Sequence, residues 1–155
     1  MCSSDLSTGP ALAFAPVDNG TYVVTLTVRD DDGAAASDTL LITAANVAPR
    51  AVDAGGPRTV PENSPVSLVG SFFDPGSADT HTLGWSVVAS NGQAVPPGTG
   101  SSYTFTPTNN GTYTVTFSVK DDDSGISTAV AIVRSEEHTS ELQSLAYLVC
   151  RLLLE

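Results

Sequence analysis

Basic residues are scarce in this chain: 6 Lys and Arg stand against 17 Asp and Glu, a net charge of -11. So few cations to meet phosphate argue against nucleic-acid binding. Cysteine is scarcer, confined to Cys2 and Cys150 near the two ends. The long interior therefore has no thiol for a disulfide, a thiolate nucleophile or a cysteine metal site. Histidine is nearly absent too. His81, flanked by Thr80 and Thr82, reads as an exposed strand residue, and no nucleophile-elbow pattern offers it a serine partner, so neither a hydrolytic triad nor a metal hydrolase can be assembled. The apolar stretch from Leu145 to Leu154 is broken by Arg151 and too short to span a membrane. These absences leave a non-catalytic module as the expected class.

Both ends differ in texture from the interior. From Arg134 the Thr/Val/Gly pattern stops and Arg-Ser-Glu-Glu-His-Thr begins. That stretch resembles the translation of a sequencing-library adaptor, and the reverse complement of the same nucleotides would encode Met1-Cys2-Ser3-Ser4-Asp5-Leu6. One inverted sequence accounts for both termini, so residues 1–6 and 134–155 are set aside from fold reasoning. An alternative for the tail is a short amphipathic helix, since Leu142, Leu145, Leu148, Val149 and Leu152 fall near helical spacing. Without the two ends, 12 acidic and 4 basic residues remain, a net charge of -8.

What the interior has is a repeat. Residues 19–33, Asn-Gly-Thr-Tyr-Val-Val-Thr-Leu-Thr-Val-Arg-Asp-Asp-Asp-Gly, recur at 110–125 with few changes, 91 positions on. That period is too long for a solenoid and fits tandem small domains. In the second copy Tyr113, Val115, Phe117 and Val119 alternate with Thr112, Thr114, Thr116 and Ser118; Tyr22, Val24, Leu26 and Val28 match them in the first. Such period-two patterning predicts antiparallel strands with one buried face. Asn-Gly before the strand and Asp-Asp-Asp after it are turn signals, leading to a last strand over 126–133. Further strands are expected over 66–73, 82–89 and 102–106, separated by Gly, Pro, Asn and Asp clusters. Many short strands without a credible internal helix indicate an all-β, immunoglobulin-like antiparallel β-sandwich. Trp85 and Tyr113 sit where such sandwiches place a core tryptophan and a corner tyrosine. The Asn-Gly-Thr triplets at Asn19 and Asn110 match glycosylation sequons, but turn chemistry accounts for them.

Asn46-Val47-Ala48-Pro49 reads as a junction. Residues 46–133 then form one complete domain, and 7–45 the C-terminal half of a preceding one, whose Leu26, Val28 and Leu41 lack a facing sheet. Asn46-x-x-Pro49, Asp53-Ala54-Gly55-Gly56-Pro57 and the strand from Gly111 ending in Val119-Lys120-Asp121-Asp122-Asp123 together resemble the polycystic-kidney-disease (PKD) domain family. The resemblance covers essentially all of 46–133, and 19–43 for the last strand pair. It implies an immunoglobulin-like module of bacterial surface proteins and secreted hydrolases, used in arrays. One family hallmark, Trp-Asp-Phe-Gly-Asp-Gly, is replaced here by Trp85-Ser86-Val87-Val88, which points to a divergent PKD-like or neighbouring immunoglobulin-like subtype.

Asp74 and Asp79, Asp121 to Asp123, and Asn46 fall on loops that this topology brings to one pole. Calcium takes six to eight oxygen ligands, which converging loop aspartates can supply. The PKD resemblance implies calcium at Asn46, Asp74, Asp121 and Asp122, placed at the junction and stiffening it. The alternative is that these are solvated turn aspartates. The expected function is a non-catalytic structural or adhesive spacer in a tandem-repeat bacterial extracellular or cell-surface protein. Its partners are neighbouring repeats of the same chain and protein or polysaccharide ligands, with no nucleic acid and no membrane span in this segment. The alternative function is an accessory polysaccharide- or protein-binding domain of a secreted hydrolase, for which Tyr103 and Phe105, on one face of their strand, are the available aromatic row.

Overall fold

A computed structural model describes residue 9 and residues 11–137 of the chain. The helix alternative for the tail and both cysteines lie outside the described residues. Contacts group the chain into two units: residues up to Val47 together with Pro75–Asp79, and Ala48–Asp74 together with Thr80 onward. Every regular element among the described residues is a strand.

The first unit holds β1 (Gly20–Arg29) and β2 (Ala35–Ala44), an antiparallel hairpin with unbroken register from Gly20↔Ala44 to Arg29↔Ala35. Tyr22, Val24, Leu26 and Val28 share one face with Leu40 and Ile42, because directly paired residues point the same way. Leu41 pairs with Val23 and lies on the other face, not with Leu26 and Val28 as its grouping with them in the sequence implied. Leu26, Val28 and Leu40 are 59%, 60% and 61% exposed.

The second unit is a two-layer sandwich. Its larger sheet has the order β4-β11-β10-β7-β8, built from β4 (Arg58–Pro61), β7 (His81–Ala89), β8 (Gly98–Thr99), β10 (Gly111–Asp121) and β11 (Ile126–Glu136). Only β4 and β11 pair in parallel; the other neighbours are antiparallel. Facing it are two short ladders, β3 (Arg50–Asp53) with β6 (Ser71–Phe73) and β5 (Val66–Val69) with β9 (Ser102–Phe105). β5 and β6 are one run of chain interrupted at Gly70, which joins the two ladders into a single layer.

The core lies between the layers. Tyr113, Val115, Phe117 and Val119 are fully buried, with Trp85, Ala131 and Val133 beside them and Val66, Leu68, Tyr103 and Phe105 opposite. Each such large apolar side chain stabilises the fold by about 1.5–3 kcal/mol through removal from water. Trp85 stacks on Phe117 at 4.4 Å between ring centroids and on Tyr103 at 5.7 Å, and its Nε1–H donates to the Gly100 carbonyl at 2.8 Å. Tyr113 is the corner: its hydroxyl donates to the Asn109 carbonyl at 2.9 Å. Tyr22 repeats that bond to the Asp18 carbonyl at 2.7 Å, again four residues upstream. The two copies thus share their strand register and their tyrosine corner.

Several boundaries depart from the sequence expectation, each for a physical reason. The strand expected over 66–73 breaks at Gly70, where a side chain's first carbon would lie 2.5 Å from an atom of the Phe117 ring. β3, β4 and β8 have two to four residues each, too short to show a period. β11 runs to Glu136 because its ladder with Gly111 and Thr112 continues through Arg134 and Ser135, and its parallel ladder with β4 reaches Glu136↔Pro61. Backbone pairing does not depend on side-chain identity. At inward position 135, however, the chain supplies a serine, 3% exposed, whose hydroxyl has no hydrogen-bond partner among the described residues.

Candidate functional site

The inward row of β10 does not stop at Val119. Period-two geometry carries it on to Asp121, which pairs with His81 at the start of β7, so a carboxylate and an imidazole end the row that begins with Tyr113. Asp121 is 2% exposed. Its Oδ1 accepts the Gly125 N–H at 2.5 Å, and its own N–H donates to the Gly125 carbonyl at 3.0 Å, closing the β10–β11 loop. The β1–β2 loop has the same design, with Asp30 Oδ1 accepting the Ala34 N–H at 2.7 Å. Ser124 and Gly33, at equivalent places, both take positive φ, 79° and 90°. The strain is cheap for glycine and real for serine.

Asp74 follows β6 in the opposite layer with the parity of half-buried Phe72. Its side chain is 4% exposed, and His81 Nε2 donates to Asp74 Oδ2 at 2.8 Å. The His81 ring also lies 4.7 Å from Phe72. His81 is therefore not the exposed strand residue expected from its threonine neighbours; the inward parity of β7 half-buries it. A carboxylate oxygen of Asp74 comes within 4.8 Å of one of Asp121. Two layers of the sandwich thus meet at one end of the core through Asp74, His81 and Asp121. Two ionised carboxylates this close repel unless a cation accompanies them.

Asp122, one position further, has the outward parity and turns elsewhere. It accepts the Thr80 N–H at 3.1 Å and the Thr80 hydroxyl at 3.2 Å. Its own backbone amide, then Thr80 and the charge of His81, hold its carboxyl below the usual carboxylate range. Asp123 is exposed. Asn46 is half-buried in the first unit. That unit also brings a carboxylate oxygen of Asp18 within 4.8 Å of one of Asp79. Asp18 was not singled out in the sequence; its place immediately before the Asn19-Gly20 turn, where side chains bond local amides, was the available signal. Here Asp18 Oδ1 accepts the Asn19 N–H at 2.7 Å.

The aromatic side chains of the sandwich are turned inward. Tyr103 and Phe105 are 9% and 6% exposed, packed on each other and on Trp85 and Tyr113. Burial pushes the Tyr103 hydroxyl above its ordinary pKa. Only Phe73 is mostly exposed, at 52%, and the Arg50 guanidinium lies 4.9 Å from its ring centre. Among the described residues, no helix is long and apolar enough to cross a membrane.

Residues 46–134 match the bacterial Ig domain family. The chain belongs to that family. What the PKD resemblance and the bacterial Ig domain have in common is the immunoglobulin-like sandwich of a repeat module; the match is to the bacterial Ig domain and not to PKD. No curated protein matches the chain. In a bacterial Ig domain the Trp85–Phe117 stack and the Tyr113 corner are fold-making features, and the acidic end of the core is what remains for chemistry.

Proposed function

We propose that this bacterial Ig domain is a non-catalytic spacer in a tandem-repeat extracellular or cell-surface protein, divergent toward the PKD type, with residues 46–133 as its complete repeat. The family supports a surface-module role. The observation that carries spacer over sugar-binding accessory domain is the disposition of aromatics. A sheet that grips a polysaccharide needs a row of exposed rings, and Tyr103 and Phe105, the row available in the sequence, belong to the core instead. The chain should pass unretained through columns of insoluble cellulose, chitin and starch. Retention on any of them, lost on Phe73→Ala, would favour the accessory-domain reading.

The finer part of the proposal is calcium. Asp74 and Asp121 supply hard oxygens of the kind calcium prefers, close enough together that a shared cation would offset their repulsion. His81, when protonated, is one such cation; calcium is a stronger one. An ion there would tie β6 to β10. At a free concentration one hundredfold above the dissociation constant, binding stabilises by about 2.7 kcal/mol, a rise of about 10 °C or more in Tm for a domain this size. Melting the chain in calcium and in chelator tests this, and Asp74→Asn or Asp121→Asn should remove the difference. Equal melting in both conditions would leave an ion-independent spacer whose acidic end is an internal Asp-His bridge.

A further inference from the structure

We infer that the apolar face of the β1–β2 hairpin is a docking surface for the N-terminal strands of another immunoglobulin-like repeat, counterparts of β7, which pairs beside β10, and of β5 and β9, which face it. The inference stands on the internal repeat and not on the spacer or calcium readings.

The two hairpins superpose position by position. Tyr22↔Ile42, Val24↔Leu40 and Leu26↔Asp38 in the first correspond, 91 residues on, to Tyr113↔Val133, Val115↔Ala131 and Phe117↔Ala129 in the second. The loops share one hydrogen-bond pattern, Asp30 with Ala34 and Asp121 with Gly125, and the corner tyrosines share another. The faces differ most in three inward residues, Leu26, Asp38 and Leu40 for Phe117, Ala129 and Ala131, and in what covers them. In the second copy Val115, Phe117 and Val133 are fully buried, under Val66, Leu68, Tyr103 and Phe105 and beside Trp85. In the first copy Leu26, Val28 and Leu40 are about three-fifths exposed. Such a run of large apolar side chains on a strand pair is a surface shaped for burial.

The second copy also states the occupant's chemistry. One strand must pair along β1, as β7 pairs along β10, with an inward tryptophan opposite position 26, because Trp85 is opposite Phe117. Two more strands must cross above with inward aliphatic and aromatic residues. Among the described residues β1 pairs with β2 alone; a helix, a lipid or a carbohydrate would leave its other edge unsatisfied, whereas a strand satisfies edge and face together. Leu26, smaller than Phe117, and Leu40, larger than Ala131, occupy adjacent inward places, so the facing layer fits a redistributed rather than a reduced volume.

The test is a fusion in which a second copy of residues 48–108 is placed ahead of Asp18 in the chain, the spacing that precedes Asn109 in the intact repeat. Amide exchange over Tyr22–Val28 should slow by about one hundredfold or more relative to the parent chain, and Leu26→Asp in the fusion should restore the parental rate. A second fusion with Leu26→Phe, Asp38→Ala and Leu40→Ala, matching 117, 129 and 131, guards against a simple misfit of side chains. Parental exchange over Tyr22–Val28 in both fusions while β10 stays protected would overturn the inference. So would unfolding of both fusions throughout, since the added strands would then have disrupted a domain instead of completing one. A parent chain that sediments as a dimer, broken by Leu26→Asp, would overturn it in favour of a second copy of the hairpin as occupant.

Discussion

Phe117→Ala should destabilise the sandwich by about 3–5 kcal/mol, while Leu26→Ala, the same position in the other repeat, should change stability by less than about 0.5 kcal/mol. The two residues occupy matched places in matched ladders. Each lies four residues after its corner tyrosine and four before its loop aspartate. Register and turn chemistry are thereby matched, and the chief difference is burial: Phe117 is fully buried and stacked on Trp85 at 4.4 Å, whereas Leu26 is 59% exposed. Removing the Phe117 ring deletes its transfer free energy and leaves a cavity that Trp85 and Tyr103, each fixed by its own bond to a backbone carbonyl, cannot collapse to fill. A domain of this size has about 5–15 kcal/mol in total, so the variant stands near its unfolding threshold. Equilibrium urea unfolding followed by Trp85 fluorescence reads the Phe117 change, and amide exchange over Tyr22–Val28 reads the Leu26 change. Comparable losses for the two variants would mean that the hairpin face is covered as completely as the core.

Gly70→Ala is the second large effect, expected at about 1–3 kcal/mol or more from overpacking. The backbone at Gly70 is not strained: its φ is in the ordinary range, and its N–H donates to the Ser101 carbonyl at 2.8 Å. The difficulty is purely spatial. A methyl group there would lie 2.5, 2.6 and 2.8 Å from three atoms of the Phe117 ring. Phe117 has little freedom to retreat, because it is fully buried and Trp85 stacks on it at 4.4 Å. Glycine at this place allows the facing layer to approach closely enough to close the core over the centre of β10. If this is the cause, Phe117→Leu should relieve part of the cost, and the double variant should be more stable than the sum of the two single changes requires. Strict additivity, or a neutral Gly70→Ala, would show that the layers stand further apart than described.

The strand and its buried face were legible in the alternation of Tyr113, Val115, Phe117 and Val119 with threonines, because period-two patterning on a half-buried sheet leaves no other register. The same alternation continues to Asp121, yet the three aspartates read as one loop. The structure separates them: Asp121 keeps the inward parity and pairs across from His81, while Asp122 turns out to Thr80. A strict count along the strand would have found the buried carboxylate and, by the same count along β7, the half-buried histidine. β3, β4 and β8 were not legible. They are edge pieces whose place is decided by what they pair with, and β3 contains Ala51 at φ 51°, which strand propensity would not place there. Nor could the break at Gly70 be read, since the reason for it is an aromatic ring 47 positions away in the chain. Tyr103 and Phe105 were correctly placed on one face; which face was a matter of the whole sandwich.

The account rests on one closed core in the bacterial Ig domain and on a hairpin with the same ladder but an open face. Residue-resolved amide hydrogen exchange on the chain, at a concentration where it is monomeric, tests that most directly. The amides of Tyr113–Val119 and their partners in β7 and β11 should exchange only through global unfolding, and those of Tyr22–Val28 through a far smaller opening free energy. Equal protection of the two ladders, or rapid exchange along β10, would contradict it.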